Sequence, residues 1–176
     1  MTEQHYLTQQ FEASRQHLHK VAYRMLGSGS EAEDAVQEAW IRLNRVEAAS
    51  IENLTGWLTT VVARVCLDML RARKSNHGTI DDNVAEIATD AADNIEAELL
   101  QLDLIGPALL LLLDMLTPAE RVAFVLHDVF ELSFAEIAAI LELPEASARQ
   151  HASMARRRIR GATTAEQDAA RQQSVV

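Results

Sequence analysis

Apolar residues recur three or four positions apart through most of the chain, the spacing of helices that bury one face. Leu7, Phe11, Leu18, Val21 and Met25 form the first stripe, which stops at Gly27-Ser28-Gly29. Ser30, with Glu33 three residues on, reads as a capping box that opens a second helix. Its stripe is Ala32, Ala35, Val36, Ala39 and Leu43. A looser segment, 47–53, precedes a third helix with Leu54, Trp57, Leu58, Val61, Val62, Val65 and Met69 on its inner side. Three such helices can enclose one small core.

From Ser75 to about Gln101 the pattern weakens and acids dominate, with Asn76-His77-Gly78 as the break. This region reads as a linker, partly helical towards 95–104. Residues 105–116 (IGPALLLLLDML) are very apolar, but a membrane span needs roughly 20 such residues. With Gly106-Pro107 at its start and Asp114 inside, this stretch reads as a buried core helix. Thr117-Pro118-Ala119-Glu120 is a capping box with proline at the first helical position, opening a helix to about Phe130. Ser133-Phe134-Ala135-Glu136 is another, opening a short helix to Leu141. Residues 142–145 make a turn in which Glu142 sits where glycine is commonest. A last helix runs from about Ala146 to Arg160, and a polar tail from Thr163 is expected to fray. No segment has strand periodicity. The expected fold is all-α: two small helical domains at 1–75 and 105–162, joined by an acidic linker at 76–104 and followed by a tail at 163–176.

Composition agrees with this. Of 176 residues, 48% are hydrophobic and 24% charged, with only six Gly and three Pro, so helix formers dominate. The single cysteine, Cys66, suits a reducing cytoplasm. The N-terminal MTEQHYLTQQ has neither the basic patch nor the apolar core of a secretory signal. A net charge of −10 looks unsuited to nucleic acid until it is located. Between Ser75 and Glu120 there are ten acids and no Lys or Arg, so the rest of the chain is close to neutral. Within that remainder, 64–74 carries Arg64, Arg71, Arg73 and Lys74 against Asp68 alone, and 149–160 carries five arginines and no acid. Charge asymmetry is the informative quantity.

A short helix, a tight turn and a longer helix describe a helix-turn-helix. In the longer helix Ala148, Ala152, Ala155 and Ile159 share one side, while Arg149, Ser153, Arg156 and Arg160 follow one residue later. Small inner residues permit close packing, and the polar face projects to where an inserted helix meets the major groove. Arginine suits guanine edges and phosphates because its planar fork donates two hydrogen bonds together. The competing reading is a solvated basic helix C-terminus that complements the helix dipole. In the first domain, Asp68 can meet part of the charge of Arg64 and Arg71 locally, leaving Arg73 and Lys74 freer for phosphate. Trp57 lies on the core stripe, whereas Trp40 lies off it and suits a contact surface.

EAEDAVQEAWIRL (31–43), GWLTTVVARVCLDMLRAR (56–73) and LTPAERVAFVLHDVFELSFAEIAAIL (116–141) resemble the sigma-70 superfamily, in particular its extracytoplasmic-function (ECF) branch. The resemblance covers both domains. It implies an RNA polymerase sigma factor whose region 2 engages core RNA polymerase and the −10 promoter element, and whose region 4 engages the −35 element. Carried over residue by residue, it implies that Asp34, Gln37, Glu38 and Leu43 meet the polymerase. Segment 47–53, ending at Asn53, resembles the loop that captures a flipped promoter base, and Arg64, Arg71, Arg73 and Lys74 then face the melted strand. Flipping is cheapest where A·T pairs are already open. On the −35 side the resemblance implies Ser147, Arg149, Gln150, Ser153, Arg156 and Arg157. Two departures touch promoter choice: Met154 stands where a basic residue is frequent, and Val65 where asparagine is common. ARQHASMARRR (148–158) is similar to a subgroup that usually carries a C-terminal SnoaL-like domain, which would start about where this sequence stops, at Val176. Promoter DNA, core polymerase and an anti-sigma factor or such a regulatory domain are the implied partners.

An enzyme has little support. There is no HExxH, no glycine-rich phosphate loop and no Cys–His cluster, and His17 and His19 point apart on a helix. No cofactor or metal is expected. The serious rival is a conventional helix-turn-helix regulator that binds duplex operator without polymerase. A helical adaptor is a third reading, but it leaves the arginine face unexplained.

Overall fold

The computed structural model describes residues 2–47, 50–76 and 106–173, and the regular structure among them is helical throughout. The chain divides into two compact units, Met1–Leu102 and Asp103–Val176. The linker expected at 76–104 lies, apart from Asn76, outside the described residues.

The first unit is a three-helix packing of α1 (Glu3–Leu26), α2 (Gly29–Leu43) and α3 (Leu54–Asn76). α1 stops because Gly27 takes a left-handed conformation (φ 72°) and returns its N–H to Tyr23 O at 2.7 Å. The chain re-enters a helix at once. Ser28 is therefore the cap, its hydroxyl accepting from Glu31 N–H at 3.4 Å, rather than Ser30 with Glu33. Both serines fit the S-x-x-E pattern, but Gly29 and Ser30 are already helical. Phe11, Leu18, Val21 and Met25 of α1 are buried with the whole α2 stripe and with Leu58, Val62 and Cys66 of α3. Three of the α2 residues are alanines, which let the backbones approach closely. The α3 stripe is buried less evenly: Leu54, Trp57 and Met69 are only half-buried. Trp40 is also half-buried, its ring 4.9 Å from that of Phe11.

The second unit begins with α4 (Gly106–Leu113). The apolar stretch it opens is not buried all round: Leu113 and, just past the helix, Leu116 are inside, while Leu111 and Met115 are among the most exposed apolar side chains. Among the described residues no helix is long and apolar enough to cross a membrane. α5 (Pro118–Phe124) opens on the complete Thr117–Glu120 capping box and runs into one π-helical turn, Val125–Val129. There Phe130 N–H reaches back five residues to Val125 O at 3.2 Å. α6 (Phe134–Leu141) is capped by Ser133, whose hydroxyl accepts from Glu136 N–H at 3.2 Å. α7 (Glu145–Gln173) packs Ala148, Ala152 and Ala155 inward. It continues well past Arg160 through the tail expected to fray. Residues 162–173 hold four Ala and three Gln and neither Gly nor Pro, so nothing there breaks a helix.

The turn between α6 and α7 explains the odd residue noted in the sequence. Glu142 adopts φ 56°, ψ 43°, closing α6 in the left-handed region that favours glycine. A side chain there costs about 1 kcal/mol. Glu142→Gly is expected to stabilise the second unit by that amount and to raise its thermal midpoint by roughly 4–8 °C. A calorimetric scan with an unchanged or lower midpoint would contradict this.

Candidate nucleic-acid interface

α6, the Glu142 turn and α7 form the predicted helix-turn-helix. Opposite the buried alanines, α7 presents Arg149, Gln150, Ser153, Arg156 and Arg157 as exposed residues, with Ser147 half-buried at the helix start and Met154 37% exposed. This face carries several hydrogen-bond donors and no large apolar cluster, as an element entering a groove requires.

Most of its arginines are not free. Arg149 Nη2 donates to Glu145 Oε1 at 2.8 Å, one turn back. Arg156 grips Asp128 through both Nε, at 2.8 Å from Oδ2, and Nη2. Donating to the Asp128 carboxylate raises the pKa of Arg156 above its ordinary value, outweighing slight desolvation. Arg156 therefore clamps α7 to the π-turn, a partner that its place on the helix does not reveal. Arg158 Nε lies 3.1 Å from the buried Glu120 Oε2, an ion pair by distance without hydrogen-bond alignment. Glu120 Oε1 meanwhile accepts from Thr117 N–H, so one carboxylate caps α5 and anchors α7. Arg157 makes no ion pair among the described residues.

In the first unit, α2 turns Asp34 and Gln37 outward, with Glu38 half-exposed and bonded to Arg42 at 3.2 Å. Leu43, expected beside them, is fully buried. It continues the Ala32–Ala39 stripe, and the exposed apolar neighbour is Ile41 at 39%. Arg64, Arg71 and Lys74 are exposed on α3. Arg73 is tied inward: its Nη1 donates to Leu26 O at 2.9 Å and its Nη2 pairs with Glu31. It thus joins α3 to the α1–α2 corner and is not the freer phosphate ligand the sequence suggested. Asn53 Oδ1 accepts from Gly56 N–H at 3.1 Å, which commits that oxygen to the start of α3. Beside it, a cleft of about 370 Å³ is lined by Tyr6, Leu7, Gln10, Ile51, Asn53 and Leu54, among others. Val65 is buried. Among the described residues no cluster of His, Cys, Asp or Glu is arranged to hold a metal ion.

The sequence matches the model of sigma-70 region 2 over residues 10–76 and that of sigma-70 region 4 over residues 107–159. The chain belongs to the sigma-70 family. It is 44% identical over 154 residues to the ECF RNA polymerase sigma factor SigJ of Mycobacterium tuberculosis, covering 85% of this chain and 49% of that one. It is 38% identical over 156 residues to the probable ECF sigma factor SigI of the same species, covering 85% and 52%. The crystal structure of SigJ superposes with a TM-score of 0.61 at 37% identity, over 86% of this chain and 52% of that one. The sigma factor RpoE crystallised with the anti-sigma factor NepR from Bartonella quintana shares the fold, with a TM-score of 0.59 at 22% identity over 88% and 94%. The chain spans about half the length of SigJ and SigI.

Within the sigma-70 frame, sequence reasoning missed the residues that hold the arginine face. Asp128 and Arg156 are 28 positions apart, and no local pattern joins them. Glu120 was legible as a cap but not as the partner of Arg158. Phe134 reads as an ordinary apolar residue, yet its ring lies 5.6 Å below the Arg149 guanidinium. Ile41, three and four residues beyond Glu38 and Gln37, is the apolar residue that shares their exposed face.

Proposed function

We propose that this chain directs core RNA polymerase to particular promoters as an ECF-type sigma factor in the cytoplasm, without catalysis of its own. Its first unit docks on polymerase through the α2 face of Asp34, Gln37 and Glu38, with Ile41 in place of Leu43. It faces the opened −10 strand with Arg64, Arg71 and Lys74. The cleft beside Asn53 is the place for an extruded base, whose release from the stack lets melting and recognition coincide. The second unit anchors the −35 duplex through Ser147, Arg149, Gln150, Ser153 and Arg157, with Arg156 held by Asp128 at the edge of that face. The observation that carries the reading is the exposed polar face of α7 on a capped helix-turn-helix, in one chain with a three-helix unit bearing an outward acidic helix. An anti-sigma factor, such as the one bound to RpoE, or a regulatory domain is the partner this reading adds.

The test is transcription in vitro with purified bacterial core polymerase and fragmented genomic DNA, mapping transcript starts. Discrete starts that appear only when the chain is added are expected, and they report the promoter directly. No new starts, with tight duplex binding by the chain alone, would establish the conventional regulator instead.

A further inference from the structure

Arg149 does not stand alone on α7. Beyond its bond to Glu145, its guanidinium carbon lies 5.6 Å from the centroid of Phe134, the first residue of α6. The Phe134 ring in turn stacks on the imidazole of His127, with centroids 4.0 Å apart and planes 22° apart. His127 Nδ1 is 2.9 Å from Leu132 O. A carbonyl cannot donate, so Nδ1 carries the proton and the roll of the imidazole is fixed by the backbone. A guanidinium on the recognition helix, a ring on the preceding helix and an imidazole on the π-turn are therefore in continuous contact.

A long arginine at a helix surface samples many rotamers, and a base contact made from that state must first order the side chain. The negative face of an aromatic ring attracts a guanidinium and favours a plane stacked over it. Glu145 takes one Nη2 hydrogen at 2.8 Å and leaves the other donors available. We propose that Phe134, braced by His127, is a positioning residue that holds Arg149 in the orientation from which it reads a base. Phe134 thereby sets base preference at one position of the −35 element. This inference rests on the reading of α7 as the recognition helix. A ring that merely filled the space between α6 and α7 would change stability and affinity for all sequences alike.

The experiment loads the full chain onto bacterial core polymerase and selects bound duplexes from a pool randomised across the upstream promoter element. Arg149→Ala identifies the base position that Arg149 reads. Phe134→Leu is expected to lower preference at that same position by roughly fivefold or more, a fraction of what a bidentate arginine contact supplies, while other positions keep theirs. Phe134→Tyr, which restores the ring, is expected to return the preference. The proposal is overturned if Phe134→Leu keeps the preference that Arg149→Ala loses, or lowers every position equally. Should circular dichroism show that Phe134→Leu fails to fold, Phe134→Met is read in its place, since its flexible thioether fills an irregular gap without a π face. If Arg149→Ala itself changes no preference while the wild-type chain selects a sequence, the assignment of Arg149 has failed and takes the proposal with it. If the wild-type chain selects nothing, the proposed function has failed.

Discussion

Reversing one charge, Arg149→Glu, is expected to lower promoter-directed initiation about a hundredfold while leaving the affinity for core polymerase unchanged. A bidentate arginine–guanine contact is worth about 1–3 kcal/mol, and a carboxylate in its place is repelled by the phosphates on either side. The structural cost is small, because Arg149 is exposed and its bond to Glu145 is a one-turn helix pair worth about 0.5 kcal/mol at most. Arg156 needs different handling. Arg156→Glu would set a carboxylate against Asp128, so any loss of initiation would mix a missing DNA contact with a loosened π-turn. Asp128→Ala is cleaner there, since it keeps the arginine and removes both acceptors of the clamp. Abortive initiation at a mapped promoter, beside native-gel assembly of the holoenzyme, separates the two effects for both sites. Initiation by Arg149→Glu within threefold of the wild-type chain would mean that α7 does not read the −35 element through this residue.

The fold was legible to the extent that it is written locally. Helical spacing gave the α1 and α2 stripes, and the Thr117–Glu120 and Ser133 caps formed where the pattern put them. A helix start depends on side chains three residues apart, and a buried face on positions three and four apart, so both can be read from a short window. The left-handed turn at Glu142 was marked by its position even though the residue is wrong for it. Long-range partners were not legible in this way. Arg73 and Arg156 carry the charge of phosphate ligands, but Leu26 O and Glu31 hold one and Asp128 the other. A window sees that a residue is basic and outward on its own helix; it does not see the acid or carbonyl that a neighbouring element brings against it. The tail from Thr163 shows the opposite case: polarity alone suggests fraying, yet its Ala and Gln residues carry the helix on to Gln173.

Leu43 and Ile41 put the reassigned polymerase face to a decisive trial, because two neighbouring truncations are expected to act on different quantities. Leu43 is fully buried at the end of α2. Leu43→Ala removes three buried carbons and leaves a cavity, costing about 3 kcal/mol of the first unit's stability. That is a large share of what a small helical domain possesses. Its affinity for core polymerase, measured on the folded fraction, is expected to stay at the wild-type value. Ile41 is 39% exposed on the face of Asp34, Gln37 and Glu38. Ile41→Ala is expected to move stability by about 0.5 kcal/mol or less, yet to weaken polymerase binding roughly tenfold, because an apolar side chain among polar neighbours gains most from desolvation at the centre of a contact. Urea unfolding reads the first quantity and fluorescence titration of labelled chain with core polymerase reads the second. If Ile41→Ala binds polymerase as well as the wild-type chain does, the α2 face is not the docking surface. If Leu43→Ala is as stable as the wild-type chain, the packing of α2 against α1 and α3 is not what supports it.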